Sequence, residues 1–417
     1  MFASIIAKPR GGLWDNPDFL RLWAAQSLSA IGTRFTREGL PIIAALSLGA
    51  TAMDLGLLIA LSALPGVLLS PFVGAWIDRT RRRRVLILAD MARAAALLTL
   101  PVAAWLDAIT IGQVMGVATI VALFSMVFQT ADNAYLPSVI EKDQLLEGNS
   151  KLATTDAVAE VVGPATAGVA IQLLTAPFAI LFDALSYLWS AVLLASIRRP
   201  EKPVEMGEQA PDLWRETAEG LRFVFGHPTL RPLTLCFATL MFSLSVFAPL
   251  YVLFAVRELG IPPGILGFVI ALGGISAVIG ARLSARVGKG IAPRKLLITV
   301  LVIYGLGTSF IPLAQGPLWL AVTLLCMGQL FGDGLYVVLH THMAALRQQV
   351  TPDALRGREG GVVHLLSVGL GLVAALVAGF LADIIGIRPI LWAGALGIFV
   401  SALWLLRMPN VSADKFS

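Results

Sequence analysis

Long apolar runs of about 20 residues alternate with short polar loops along this chain, and a run of that length is what an α-helix needs to cross a bilayer. Twelve such segments can be drawn, over residues 19–48, 53–77, 85–106, 110–132, 155–175, 178–197, 232–256, 262–285, 295–314, 317–342, 361–384 and 388–407. Few stretches of about ten residues alternate apolar with polar positions free of Gly and Pro, so a membrane β-barrel is not indicated. Some connections are very short, such as Thr175-Ala176-Pro177 between the fifth and sixth segments. The pattern predicts an all-α polytopic membrane protein with twelve transmembrane helices.

Composition agrees. Of 417 residues, 57% are hydrophobic and 14% charged, against about 25% charged in soluble domains, so lipid must be the solvent for most of the surface. The net charge of +5 would suit nucleic acid, but the basic residues sit in short loops, where they report topology instead. Arg79 and Arg81 to Arg84, then Arg198, Arg199 and Lys202, then Arg286, Lys289, Arg294 and Lys295, then Arg347, Arg356 and Arg358 all fall on one face of the twelve-helix arrangement. The other face carries Arg257 and Arg388. By the positive-inside rule both termini are expected in the cytoplasm. The chain opens without a short apolar stretch and cleavage site, so its first helix is expected to act as its own insertion signal. Cys236 and Cys326 lie inside apolar runs and read as buried, inert thiols.

The longest polar interruption, about residues 198–230, contains APDLWRETAEGLRFVFGHPTLRPL. Leu213, Trp214, Leu221, Val224 and Phe225 fall on one side of a helix with charges opposite, which predicts an amphipathic helix at the membrane interface. The flanking halves repeat weakly. Gly74-Ala75 and Gly280-Ala281 are 206 residues apart, Asp143 and Asp353 are 210 apart, and Ser190-Ala191 and Ser401-Ala402 are 211 apart. Six spans each then give two pseudo-symmetric six-helix bundles, residues 1–197 and 232–417, joined by a cytoplasmic linker, 198–231. A carrier built this way holds its substrate between the bundles near the midplane and rocks to expose it to each side.

One segment breaks the apolar rule. Within SAIGTRFTREGLPIIAAL, Ser29 to Leu46, stand Arg34, Arg37 and Glu38. A helix starting after Glu38 would be too short to span, so these charges fall near mid-depth, where each costs several kcal/mol unless it faces a partner or water. Arg34 and Glu38, four residues apart, share a helix face and are expected to pair, leaving Arg37 in need of another acceptor or an anionic ligand. Two readings remain open: a buried ion network joining helices, or the wall of a central cavity. Among other intramembrane polar residues, Asp90 and Arg93 read as a structural pair, and Asp156 and Glu160 as carboxylates at the start of the fifth helix. Asp183 reads as a packing hydrogen bond and Asp333 as a second deep carboxylate. His340 and His342 point apart on one helix and His364 reads as a packing residue, so no metal is expected. No G-x-x-x-x-G-K-S/T loop is present, so ATP is not the energy source. No soluble domain offers an enzyme site, and no cofactor is expected.

GAWIDRTRRRR, Gly74 to Arg84, resembles motif A of the major facilitator superfamily, G-x-x-x-D-R-x-x-R-R. The resemblance implies a cytoplasmic gate formed by Gly74, Asp78, Arg79 and Arg82, with Asp132 as the carboxylate that Arg82 meets near the end of the fourth helix and Gly74 letting neighbouring helices come close. The second copy, GARLSARVGKGIAPRK, is degraded, with Ser284 near the place of Asp78. Gly163-Pro164-Ala165-Thr166-Ala167-Gly168 resembles motif C of the superfamily's exporters, with Ala167 in place of a glycine; Gly163, Pro164 and Gly168 keep the pattern. Motif B is absent, since residues 110–131 hold no charge. AEGLRFVFGHPTLRPL, FDALSYLWSAVLLASI and LPSVIEKDQLLEGN look like the exporter branch that contains the enterobactin exporter and macrolide efflux proteins, a drug:proton antiporter type.

That resemblance covers essentially the whole chain. It implies a monomeric secondary transporter in the bacterial inner membrane, exchanging protons for an amphipathic small molecule of drug, macrolide or siderophore kind by alternating access. The first and tenth helices line the central cavity in this superfamily. On that basis Glu38 is expected to exchange protons under the influence of Arg34, Arg37 to contact a polar or anionic part of the substrate, and Asp333 to be a second proton site. An importer or facilitator of a polar nutrient or lysolipid, and a non-transporting membrane scaffold or sensor, remain as alternatives.

Overall fold

The computed structural model describes residues 12–77, 79–199, 201, 213–288 and 291–409; Asp78, Lys202 and Lys289 lie outside the described residues, and so do the side chains of Leu213 and Trp214. All the regular structure among them is helical. In chain order the long helices are α1 (Pro17–Ile42), α2 (Ala52–Ile77), α3 (Arg82–Trp105), α4 (Ile111–Val139), α5 (Leu145–Leu174) and α6 (Leu181–Ser196, entered through Ala176–Ala179). After them come α7 (Leu213–Gly226), α8 (Leu230–Ser245, extended by Phe247–Leu253), α9 (Pro263–Ser284) and α10 (Pro293–Thr308). The chain ends with α11 (Leu318–Val350), α12 (Arg356–Ile385) and α13 (Ile387–Leu405).

The helix starts carry their signals locally. Asn16 Oδ1 accepts from the Asp18 and Phe19 amides at 3.0 and 3.2 Å, and Pro17 occupies the first helical position of α1. Thr110 caps α4 by accepting from the Gln113 amide at 3.2 Å. All twelve predicted segments correspond to helices. Among the described residues eleven helices are long and apolar enough to cross a membrane. The twelfth, α1, has the length, at 26 residues, but not the hydropathy, because it carries the arginines and the glutamate. It is accommodated by packing between α5 and α6, which lets Glu38 be buried against protein.

Within the first half α1 packs on α5 and α6, α3 on α4 and α6, and α2 on α4; within the second, α8 packs on α12 and α13, α10 on α11 and α13, and α9 on α11. The halves meet along two seams, α5 against α9 and α2 against α12. Small residues set the first seam: a methyl group added at Gly267 would come within 2.3 Å of the Pro164 carbonyl oxygen, and one at Gly168 within 2.5 Å of the Pro263 oxygen. The motif-C-like stretch therefore lies in a contact between bundles.

The cores show which end is closed. At one end a single cluster draws Ile43, Ala45 and Leu55 together with Leu250, Phe254 and Leu266, from both halves. At the end carrying Arg82 to Arg84 the two largest clusters are separate. One runs from Leu13 to Ile197 and the other from Leu233 to Met408. The molecule is sealed at the first end and parted at the second, which we call the basic end. There α7 lies on α12, with Glu219 and Arg358 2.6 Å apart and Val224 buried against Leu230 and Val362. Part of the apolar side expected to face lipid is thus covered by protein, while Phe225 stays exposed.

Candidate functional site

Between the halves lies a cavity of about 490 Å3. Its first-half wall comes from Arg37, Glu38, Pro41, Ile59 and Glu160, and its second-half wall includes Phe247, Tyr251, Tyr304, Gln329, Asp333 and Tyr336. Arg37, Glu38 and Asp333, singled out from the sequence, therefore meet in one solvent-accessible space, with Arg34 directly behind them.

The ion pairing differs from the expected one. Arg34 does not take Glu38; its Nη2 lies 2.6 Å from Glu160 Oε2 on α5. Arg37 Nη1 donates to Glu160 Oε1 at 3.2 Å and its Nε stands 3.9 Å from Glu38 Oε1. Glu160 was expected near the start of the fifth helix. That helix begins at Leu145, so Glu160 sits mid-helix and reaches both arginines. Gly163, one turn along, makes the approach feasible: a methyl group there would lie 2.3 Å from Arg34 Cγ. Across the cavity, Asp333 lies against Gly273 and makes no ion pair or hydrogen bond among the described residues. Nearby Gln329 donates to the Tyr251 hydroxyl at 3.1 Å. Sequence reasoning missed Glu160, Gln329 and the tyrosines; for Glu160 the available signal was its spacing of three from Gly163.

The described residues expected to form a cytoplasmic gate do not meet one another. Arg82 and Asp132 do not pair. Arg82 Nη1 donates to the Ala134 carbonyl at 3.1 Å and its backbone N–H to Glu201 Oε1 at 2.7 Å, while Asp132 accepts from Gln26 of α1. Arg79 is exposed, and Gly74 has open space beside its Cα instead of a close neighbour, as expected where the halves have parted.

The remaining polar residues lie away from the cavity wall. Asp90 bonds Arg93, whose guanidinium lies over the rings of Phe128 and Tyr187 at 4.4 and 4.0 Å. Asp183 accepts from Thr36 and, at 3.3 Å, from Ser186, tying α6 to α1. His342 ring nitrogens face the Val338 and Val287 carbonyls at 2.8 and 3.0 Å, whereas His340 stacks beside Tyr336. His364 is exposed. Among the described residues no group of three His, Cys, Asp or Glu could hold a metal ion.

The Major Facilitator Superfamily model matches residues 22–371. The multidrug efflux pump Tap of Mycolicibacterium fortuitum is 27% identical, over 93% of this chain and 96% of that one. Macrolide efflux protein A of Streptococcus pyogenes is 25% identical over 57% of each chain. Among solved structures, a bacterial homologue of the iron transporter ferroportin in its inward-facing state superposes with a TM-score of 0.71 at 18% identity, covering 93% of this chain and 98% of that one. The nucleoside transporter NupG superposes with a TM-score of 0.68 at 12% identity, over 93% and 98%.

Proposed function

This chain belongs to the Major Facilitator Superfamily, a multi-pass membrane transporter and not an enzyme, and from that premise we propose that it exports amphipathic small molecules in exchange for protons. The observation that carries the reading is the charge balance of the cavity. Three carboxylates, Glu38, Glu160 and Asp333, face two guanidiniums, Arg34 and Arg37. Glu160 is matched by the arginines. With all groups ionised one negative charge is left over, and either a proton or a cationic substrate neutralises it. Competition between the two for one charge is the simplest form of antiport.

In this scheme the basic end faces the cytoplasm, by the distribution of Lys and Arg. Both termini then lie in the cytoplasm of a bacterium, and the chain spans its inner membrane as a monomer. The bundles of residues 1–197 and 232–417 rock about the cavity, with 198–231 as their link. A substrate enters from the cytoplasm. Its amine meets Asp333, and its apolar body packs on Tyr251, Tyr304, Tyr336 and Phe247. Arg37, whose side chain is 58% exposed, meets a polar or anionic part of the same molecule. After the bundles rock, a proton taken up at Glu38 from the other side removes the negative charge and the substrate leaves. The gradient supplies about 2.3 kcal/mol per charge per 100 mV. Gly74, Asp78, Arg79, Arg82 and Asp132 fasten the cytoplasmic end when the bundles close there. Gly163, Pro164 and Gly168 hold the seam on which they turn. Efflux rather than uptake is supported by that exporter-like stretch and by the relatives that are efflux proteins.

Proteoliposomes carrying a pH gradient test this with erythromycin, an amine-bearing macrolide, as the probe. Its addition should release protons in a saturable way. Glu38→Gln should lower the coupled flux by about 5–150-fold, the usual span of a coupling free energy. If Glu38→Gln moves erythromycin with the parent's proton release, Glu38 is not the carrier.

A further inference from the structure

At the sealed end, side chains of each half terminate a helix of the other. The first amides of a helix need acceptors from outside it. In α2 the Asp54 amide donates to Thr51 Oγ1 at 3.1 Å, within the same turn. The Ala52 and Met53 amides instead donate to Asp383 Oδ1 and Oδ2, at 2.9 and 3.0 Å. Asp383 lies on α12, across the seam. In α9, Pro263 has no N–H to satisfy, and the Gly264 amide donates to Gln172 Oε1 at 3.0 Å. Gln172 lies on α5, across the other seam.

These contacts are one arrangement made twice. Ala52 and Pro263, Met53 and Gly264, and Gln172 and Asp383 are each 211 residues apart. The turns leading into the two capped helices repeat at the same spacing. Ile43–Ser47 and Phe254–Glu258 are both π-helical turns. Each is followed by a glycine at positive φ, Gly49 at 66° and Gly260 at 64°.

We propose that Asp383 and Gln172 are paired clamps that hold this end shut, each capping a helix of the opposite half, and that both let go when the end opens. The proposal rests on alternating access but not on proton coupling or on the cargo. The clamps are unequal. Asp383 places a full negative charge on a helix N-terminus, where the macrodipole favours it, and takes two amides; Gln172 offers a neutral oxygen to one. Arg257 strengthens the same closure from the second half. Its Nε and Nη1 donate to the Ala45 and Ala50 carbonyls at 3.0 and 2.7 Å, in the π-helical turn that follows α1 and in the loop beyond it. Opening must hand all these groups to water.

Pulsed dipolar distances on the full chain in proteoliposomes, read without cargo, test the proposal. Spin labels at Ala108→Cys and Pro317→Cys, exposed loop positions on opposite halves at this end, report its opening in a Cys236→Ser, Cys326→Ser background. Asp383→Asn should raise the ratio of open to closed molecules by about fivefold. Gln172→Glu, which gives α9 the charge that α2 already has, should lower it. A thermal scan establishes that each variant is folded, and if Asp383→Asn is not, Gln172→Glu decides alone. Distance distributions identical to the parent's in the folded variants overturn the clamps. Because no cargo is added, a failure of the antiport scheme leaves this outcome readable.

Discussion

At the level of single residues, the charged stretch of α1 was legible as an anomaly but its partners were not. Sequence spacing offers Glu38 to Arg34 because i and i+4 share a helix face. The folded chain offers Glu160, 126 residues away, which no local pattern could supply, and its carboxylate reaches both guanidiniums at once. What made this geometry available is the missing side chain at Gly163. Gly163→Ala should push Arg34 off Glu160 and cost about 1–3 kcal/mol of stability, seen as a lower midpoint in a thermal scan of detergent-solubilised protein. In an Arg34→Gly background, where the colliding Cβ and Cγ are both gone, the same substitution should cost much less. Equal losses in the two backgrounds would show that Gly163 matters for some reason other than Arg34.

Helices, considered as units, were read well where hydropathy alone defines them and poorly where polar residues belong to a buried face. Hydropathy places the fifth helix from 155, yet it starts at Leu145 after the reciprocal capping of Glu141 and Gln144. Its polar first turns hid it. At 30 residues it is about 45 Å long, more than the hydrocarbon core of about 30 Å, so those turns extend past the lipid. That misplaced start is why Glu160 read as an end carboxylate. The motif-like glycines were legible, but which helix they would meet was not; Gly168 meets Gly267, in a segment with no motif. Gly267→Ala should therefore wedge α5 from α9 and cost about 1–3 kcal/mol, with a loss of transport. Gly116→Ala, where a methyl group meets nothing within 4 Å, should instead leave the melting midpoint unchanged or raise it by up to about 1 kcal/mol equivalent. A pair of variants with matching midpoints would mean the seam tolerates a wider spacing than the close approach of Gly168 and Gly267 implies.

For the molecule as a whole, twelve spans, a weak repeat at 206 to 211 residues and a one-sided distribution of Lys and Arg already predict two bundles and an orientation, because these are properties of the entire chain that survive errors at any one boundary. The conformation is not specified that way, since a sequence encodes both the open and the closed ends. It emerges only from packing: one core shared by the halves at one end, separate cores at the other. Both facts meet in a single expectation about access. Tyr336 lines the cavity on the side of His340, toward the basic end, and the sealed end separates it from the opposite solution. A membrane-impermeant maleimide should then label Tyr336→Cys, in a Cys236→Ser, Cys326→Ser background, from one side only. With the basic end cytoplasmic, labelling should be about tenfold faster in inside-out vesicles than in right-side-out ones. Adding Asp383→Asn should narrow that difference, because loosening the sealed end admits reagent from outside. The opposite preference would invert the orientation while leaving the seal intact, and equal rates in the unmodified background would mean that the resting molecule does not favour the conformation in which its cavity opens at the basic end.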